Sequence, residues 1–276
     1  MSDQYKYNFK NERTLSEDSV WEKDVKKHFA GLPQNVWNIW TYGFLEIFNN
    51  AISHSEGKSI SVIINKNKIY IDLFISDNGI GIFKNIMNNF NLIYEKDALL
   101  ELAKGKRTTD KTQHSGQGIF FASKVFDEFA IVSNGIIFTP SSDLNLDKST
   151  HIMAGKEKFS TLVYMRLANT SDKRLKDVFD EFSTEIPGDF DKTIVPIHFA
   201  NSDDLVSRSQ ARRILSGLEL FNEVILDFKD IEYIGQAFAD EIFRVFRNMN
   251  PTTTISAQNA NAEVQNMINR AINTKL

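Results

Sequence analysis

Phe44-Leu45-Glu46-Ile47-Phe48-Asn49-Asn50-Ala51-Ile52-Ser53-His54 decides how the rest of the chain is read. Leu45, Phe48 and Ile52 recur at helical spacing and form an apolar stripe. Glu46, Asn50 and His54 follow one another at intervals of four, so a helix stacks them on one face. An acid, an amide and an imidazole in one column suit phosphate chemistry. Asn50 offers a neutral oxygen to Mg²⁺, Glu46 takes a proton from a nucleophile, and His54 approaches a phosphate. The plainer reading is a polar stripe on an ordinary helix, and this segment alone does not choose between the two.

Composition narrows the field. At 276 residues the chain has room for one or two domains. It is 42% hydrophobic and 25% charged, an ordinary globular balance. A formal net charge of -4 does not favour nonspecific nucleic-acid binding. The absence of cysteine removes disulfides, thiol nucleophiles and thiolate metal sites. No apolar run approaches the roughly 18 to 20 residues that cross a bilayer, and the polar N-terminus has no signal-peptide core. The expectation is a soluble, cytoplasmic protein without membrane association.

Outward from the column, residues 1 to about 14 read as a loose polar tail. Ser16 caps a helix that starts with Glu17 and Asp18 and carries Val20, Trp21, Val25 and Phe29 on its apolar face. Gly31 ends it, and Pro33 opens the helix that runs into the column; Gly43 within that helix admits close packing. Ser59 to Ile64 and Ile69 to Ile75 form a hairpin about the turn Asn65-Lys66-Asn67-Lys68. The second strand runs into Asp77-Asn78-Gly79-Ile80-Gly81, a carboxylate followed by two spaced glycines. Such a turn lets a ligand approach the backbone, and the carboxylate can accept from an exocyclic amine such as that of adenine. Read alone, it is also a simple Asn-Gly turn.

Phe83 to Leu102 reads as one or two helices. A long basic loop follows, with Lys106, Arg107 and Lys111, and ends in Gly116-Gln117-Gly118 before the apolar helix Ile119 to Phe129. Glycines at a helix N-terminus make an anion site, and the loop's cations can close over phosphates. Strands over Phe129 to Val132, Gly135 to Thr139 and Phe159 to Leu167 complete a two-layer α/β sandwich with helices on one sheet face.

Four of these segments together resemble the GHKL (Bergerat-fold) ATPases, the superfamily of gyrase B, heat-shock chaperone ATPases, MutL, sensor histidine kinases and anti-sigma-factor kinases. Glu46 to Asn50 resembles the N box, and Asp77-Asn78-Gly79-Ile80-Gly81 the Asp-x-Gly-x-Gly box. Gly116-Gln117-Gly118 resembles the phosphate glycine motif, and Ser160-Thr161 the late Gly-Thr, with Ser in place of Gly. The resemblance spans roughly residues 35 to 168. It implies ATP and Mg²⁺ as ligands, Glu46 as general base, Asn50 as the Mg²⁺ ligand, Asp77 on the adenine amine and Thr161 in support of Asp77. It further implies nucleotide contacts from His54, Gly79, Gly81, Lys106, Arg107, Gly116, Gln117, Gly118 and Ile119.

Beyond Asp172 the pattern changes. A short helix over Leu175 to Phe182 precedes strands and helices in alternation, which imply βαβ units. Val224 to Glu241 resembles a STAS domain, the fold of anti-sigma-factor antagonists, and more closely the STAS-like modules fused behind GHKL ATPases in prokaryotes. STAS antagonists carry a phosphorylatable hydroxyl at the strand-to-helix turn; Ile234-Gly235-Gln236-Ala237-Phe238 has none. Asp240 and Glu241 read as solvated residues of a helix's first turns.

The expected organisation is an N-terminal helical extension (1–34), a GHKL ATP-binding domain (35–170), a linker helix (171–189) and a STAS-like domain (190–276). The expected function is that of a Mg-ATP-binding ATPase or serine/threonine-type protein kinase that signals through the STAS-like domain to a protein partner, with a homodimer left open. The alternative is a non-catalytic nucleotide-sensing interaction protein.

Overall fold

The structure, a computed structural model, describes residues 3–105, 117–140, 159–200 and 204–273. The described residues fall into two compact units. The first is built from Met1–Asn91 with Gly118–Val178, the second from Leu92–Gln117 with Phe179–Leu276.

The first unit contains a six-stranded sheet of β1 (Asp3–Lys10), β2 (Ser59–Lys66), β3 (Tyr70–Asp77), β4 (Glu128–Ser133), β5 (Ile136–Phe138) and β6 (Thr161–Ala168). Its order is β1-β2-β3-β6-β4-β5, and every neighbouring pair is antiparallel. The hairpin of β2 and β3 is the one read from alternation. The N-terminal stretch corrects the reading of a loose tail, because β1 pairs with β2 along its whole length. Tyr5, Tyr7 and Phe9 alternate with polar residues and give β1 an inner face. Phe9 meets Phe48 edge-on at 5.6 Å, and the Tyr7 hydroxyl lies 2.7 Å from His28 Nε2.

Helices cover that face. Ser16 caps α1 (Glu17–Val20) by accepting from the Ser19 amide at 3.3 Å. The chain then tightens through a π turn over Trp21–Val25 and a 3₁₀ turn over Lys26–Phe29. The long helix α2 (Gln34–His54) buries Val36, Ile39, Trp40, Phe44, Ile47 and Phe48, the stripe complementary to the polar column. Helix α3 (Ile82–Phe90) follows β3 directly. Helix α4 (Ala98–Lys104) belongs to the other unit, and α5 (Gly118–Val125) returns to this one. The expected helix to Phe129 stops at Val125, because Asp127 N already donates to Arg166 O at 2.9 Å and the chain enters β4.

The opposite sheet face holds a partly buried polar cross-strand row. Asp72, Arg166 and Glu128 stand directly opposite one another on β3, β6 and β4. Arg166 Nε donates to Asp72 Oδ1 at 2.6 Å and Nη1 to Glu128 Oε1 at 3.1 Å, while its guanidinium lies 4.0 Å from the Tyr70 ring centre. Charge-assisted bonds of this kind fix register as well as contributing energy. Beside them Phe74, Ala130, Leu162 and Tyr164 form an apolar cluster.

The second unit is built on a three-stranded parallel sheet, β7 (Lys192–Pro196), β8 (Glu223–Asp227) and β9 (Thr254–Gln258), in that order. Helix α6 (Leu175–Glu181) leads into it, and α7 (Arg208–Leu215) connects β7 to β8. Helix α8 (Gln236–Asp240) continues through a π turn over Glu241–Phe246 into α9 (Arg247–Met249), and α10 (Ala262–Asn273) closes the unit. These are the alternating βα units read from the sequence. Leu92–Gln117, drawn inside the first domain on sequence grounds, groups here because α4 packs against β7. Among the described residues no helix is long and apolar enough to cross a membrane.

Gly43 shows how tightly the helical layer is fitted. A Cβ there would lie 2.4 Å from Phe126 Cε2, on a ring that itself packs 4.8 Å from Trp40. Gly43→Ala gains about 1 kcal/mol of helix propensity but overpacks the seam, a cost of about 1–3 kcal/mol. The expected outcome in urea unfolding is a net loss of stability; a stabilised variant contradicts the packing.

Candidate functional site

The site is assembled where α2 ends and β3 ends. Glu46, Asn50 and His54 occupy one partly buried face of α2, as their spacing requires. The exit of α2 is closed by its own side chains: Ser55 Oγ donates to Ala51 O at 2.6 Å and accepts from Gly57 N at 2.9 Å. Asn85, on α3, donates from Nδ2 to His54 O at 2.6 Å, capping an orphan carbonyl of the last turn. Asn78 Oδ1 accepts from the amides of Lys58 and Ser59.

The turn after β3 lies directly on this helix end. Ile80 N donates to Ser55 O at 2.8 Å. A Cβ on Gly79 would stand 1.8 Å from that same carbonyl oxygen, so only glycine fits. Gly81 adopts φ +92°, and a Cβ there would meet Asn134 Nδ2 at 2.7 Å and Ser133 Oγ at 2.8 Å. The two glycines therefore bring the Asp77 turn onto the end of the Glu46/Asn50 helix.

Asp77 is only 6% exposed. It sits directly opposite Thr161 in the β3–β6 pair. Its Oδ1 accepts from Gly79 N at 2.9 Å, and the Thr161 side chain hydrogen-bonds to the carboxylate. Thr161 Oγ1 in turn accepts from Ile82 N at 3.1 Å, tying β6 to the start of α3. Ser160 N donates to Asp77 O at 2.8 Å, and Ser133 Oγ to Ser160 O at 2.7 Å. Burial raises the Asp77 carboxyl to a pKa of about 6, against the opposing pull of the Gly79 amide and the Thr161 hydroxyl.

The start of α5 reaches the column as well. A Cβ on Gly118 would lie 2.0 Å from Glu46 Oε2, so the carboxylate rests against the first residue of that helix. The Tyr42 hydroxyl is held protonated well above its ordinary range, by burial first and by the Glu46 charge second. Gln117 and Ile119 flank Gly118; Lys106, Arg107, Lys111 and Gly116 lie outside the described residues. Sequence reading missed Tyr42, Ser55, Asn85 and Asn134. Tyr42 is four residues before Glu46 and could have been added to the column by spacing alone. The other three act through the fold, and no local pattern marks them.

Among the described residues no group of three or more His, Asp or Glu side chains is arranged to hold a metal ion. In the second unit Asp240 and Glu241 correct the reading of solvated acids. Glu241 is 5% exposed and accepts from Arg212 Nε at 2.6 Å, and Asp240 accepts from Arg244 Nη2 at 2.7 Å. Packing of the α8 helix against α7 turns Glu241 inward, where the paired arginine offsets the cost of its burial. The turn at Gly235 is fixed by its amide bond to Leu205 O at 2.8 Å.

A family model described as a STAS-like domain of unknown function (DUF4325) matches residues 210–265, from within α7 through β8 and β9 into α10. No curated protein matches the chain.

The raised Asp77 pKa has a thermodynamic signature. Between the unfolded value near 4 and the folded value of about 6, the folded state binds the extra proton, so this group's contribution to stability falls as pH rises through that window. Above it, the ionised carboxylate costs on the order of 3 kcal/mol, at 1.36 kcal/mol per pKa unit. Asp77→Asn should match the parent's Tm near pH 4 and exceed it at pH 7. A pH-independent difference between the two proteins rules out a strained, ionised Asp77.

Proposed function

We propose that the N-terminal unit binds Mg-ATP in the manner of a GHKL ATPase or protein kinase and that the bound nucleotide is reported through the STAS-like unit. The observation that carries this reading is the buried Asp77 carboxylate. It ends a central strand, is supported by Thr161, and is held by glycine-only contacts on the end of the helix that bears Glu46 and Asn50. A carboxylate is not buried for stability, since removing its charge from water costs energy. One Asp77 oxygen is engaged by the Gly79 amide, which leaves acceptor capacity for an exocyclic amine.

With a pKa of about 6, Asp77 is ionised at neutral pH and accepts a charge-assisted hydrogen bond from adenine. The amides at the start of α5, at Gly118 and Ile119, donate to phosphate oxygens. Glu46, resting at that same helix start, takes the proton from an attacking water or protein hydroxyl. The donor set suits Mg²⁺, which is held by few protein ligands and keeps waters and phosphate oxygens around it; Asn50 supplies the neutral oxygen. When bound, Mg²⁺ neutralises phosphate charge. Positioning and electrostatics then do most of the catalytic work.

Calorimetric titration with a nonhydrolysable ATP analogue in Mg²⁺ tests the reading. Asp77→Asn should lose about 1.5–3 kcal/mol, roughly ten- to a hundredfold in affinity. Asn50→Ala should abolish the Mg²⁺ dependence of binding. Glu46→Ala should bind the analogue yet lower phosphate release or phosphotransfer about 10²- to 10⁴-fold. Binding by the parent without any phosphate release or transfer selects the non-catalytic nucleotide sensor. No binding by the parent overturns the reading.

A further inference from the structure

The STAS-like unit carries a chain of charged side chains from α7 to α8 and the π turn that continues it. Arg212 Nε donates to Glu241 Oε1 at 2.6 Å, and Arg208 Nε lies 3.9 Å from Glu241 Oε2. Arg208 Nη2 lies 3.5 Å from Asp240 Oδ2, and Arg244 Nη2 donates to the same oxygen at 2.7 Å. Three guanidiniums thus share two carboxylates, and one positive charge is left over. Arg212, Asp240, Glu241 and Arg244 fall within the residues that the STAS-like family model matches, and Arg208 stands two residues before them.

The two ends of this chain differ. Arg244 is largely covered and grips Asp240 with both Nε and Nη2. The side chains of Arg208 and Arg212 are 58% and 68% exposed. Both turn their Nε edge toward the acids. Arg208 Nη1 and the two terminal nitrogens of Arg212 therefore have no partner among the described residues. A guanidinium held from the side keeps its end-on edge for two oxygens of an oxyanion. Stability does not account for the arrangement. Exposed ion pairs contribute little, and burying Glu241 costs energy. Arg208 opens α7, where a cation opposes the helix dipole, and no acid shares that first turn. What the buried Glu241 does achieve is to fix Arg212 in place, so that less side-chain freedom is lost when an anion binds.

We propose that the Arg208/Arg212 face of α7 is a binding site for a dianionic phosphate group, with Glu241 as the positioning residue that aims Arg212. A phosphate offers three acceptor oxygens and nearly two negative charges, so it engages two guanidinium forks at once. A carboxylate has only enough oxygens for one fork. The positive charge left over in the network favours the anion. The site lies wholly within the STAS-like unit and stands whether or not the N-terminal unit binds ATP.

NMR of the arginine Nε–Hε groups in the isotope-labelled full chain tests it, because the readout is local to each guanidinium. The probes are inorganic phosphate and the peptide Ala-phosphoserine-Ala, with Ala-Ser-Ala and Ala-Glu-Ala as controls. The phosphopeptide should shift the Arg208 and Arg212 signals saturably, and the controls should not. Inorganic phosphate that binds as well as the peptide makes free phosphate a sufficient ligand, and weaker binding makes a phosphorylated side chain the ligand; both results support the site. Arg208→Gln removes a loosely held, exposed cation and should weaken the phosphopeptide roughly fivefold. Arg212→Lys keeps a charge opposite Glu241 but loses the fork, and should weaken binding comparably. Glu241→Gln removes a negative charge near the anion, so simple repulsion predicts tighter binding; loss of the aim on Arg212 predicts weaker binding, the expected result. No shift at either arginine, an equal response to Ala-Glu-Ala, or full affinity in Arg212→Lys overturns the site. Tighter binding by Glu241→Gln overturns the positioning role.

Discussion

Everything at the candidate site depends on one backbone approach, that of Gly79 to the Ser55 carbonyl at the end of α2. A side chain at Gly79 would overlap that oxygen, at 1.8 Å from its Cβ. The contact converts two separate pieces of secondary structure into a single surface. Without it, the α2 column and the Asp77 carboxylate would be independent. The surrounding bonds serve this approach: Ile80 N to Ser55 O, Asn85 to His54 O, Asn78 to the amides of Lys58 and Ser59. Each saturates a polar group that would otherwise be left unpaired at a helix end or a turn.

The sheet supplies the rigidity behind that surface. Asp77 and Thr161 are direct cross-strand partners, so their pairing is fixed by the register of β3 against β6. A slip of one residue would turn both to the other face. The row of Asp72, Arg166 and Glu128 guards against such a slip, because its hydrogen bonds form in one register only. The polar row on one face and the acidic site on the other are thus linked through the register of β3, β6 and β4.

How much of this could be read in advance follows from the range of each cause. The α2 column, the β2–β3 hairpin and the Asp77 turn were legible because spacing within a dozen residues determines them, whereas the stripe of Leu45, Phe48 and Ile52 was drawn to one side of the buried one, which runs through Phe44, Ile47, Phe48 and Ala51. Gly43 was legible as a close-packing position, though its partner Phe126 was not. Strand β1 was missed because Lys6, Asn8 and Lys10 make the stretch look polar, while the alternation of Tyr5, Tyr7 and Phe9 is the informative signal. The inward turn of Glu241 was missed because its arginine partner lies on another helix. The allegiance of α4 was beyond local reading altogether. Its apolar pattern specifies a helix with a buried face, and nothing in that pattern says which sheet will cover it.

The placement of α4 also sets an order of events during synthesis. The helix leaves the ribosome well before β7, against which it packs, and α7, whose last carbonyls accept from Lys104. Until they arrive, the Lys104 ammonium lacks its two α7 carbonyl acceptors and the apolar face of α4 stays wet. Domains generally complete themselves from the N-terminus as the chain emerges. Here the nascent N-terminal unit must carry an unfinished piece of its successor. A ribosome halted, or a gene truncated, near Val178 therefore releases a chain with a buried lysine's surroundings exposed, a ready target for chaperones and proteases.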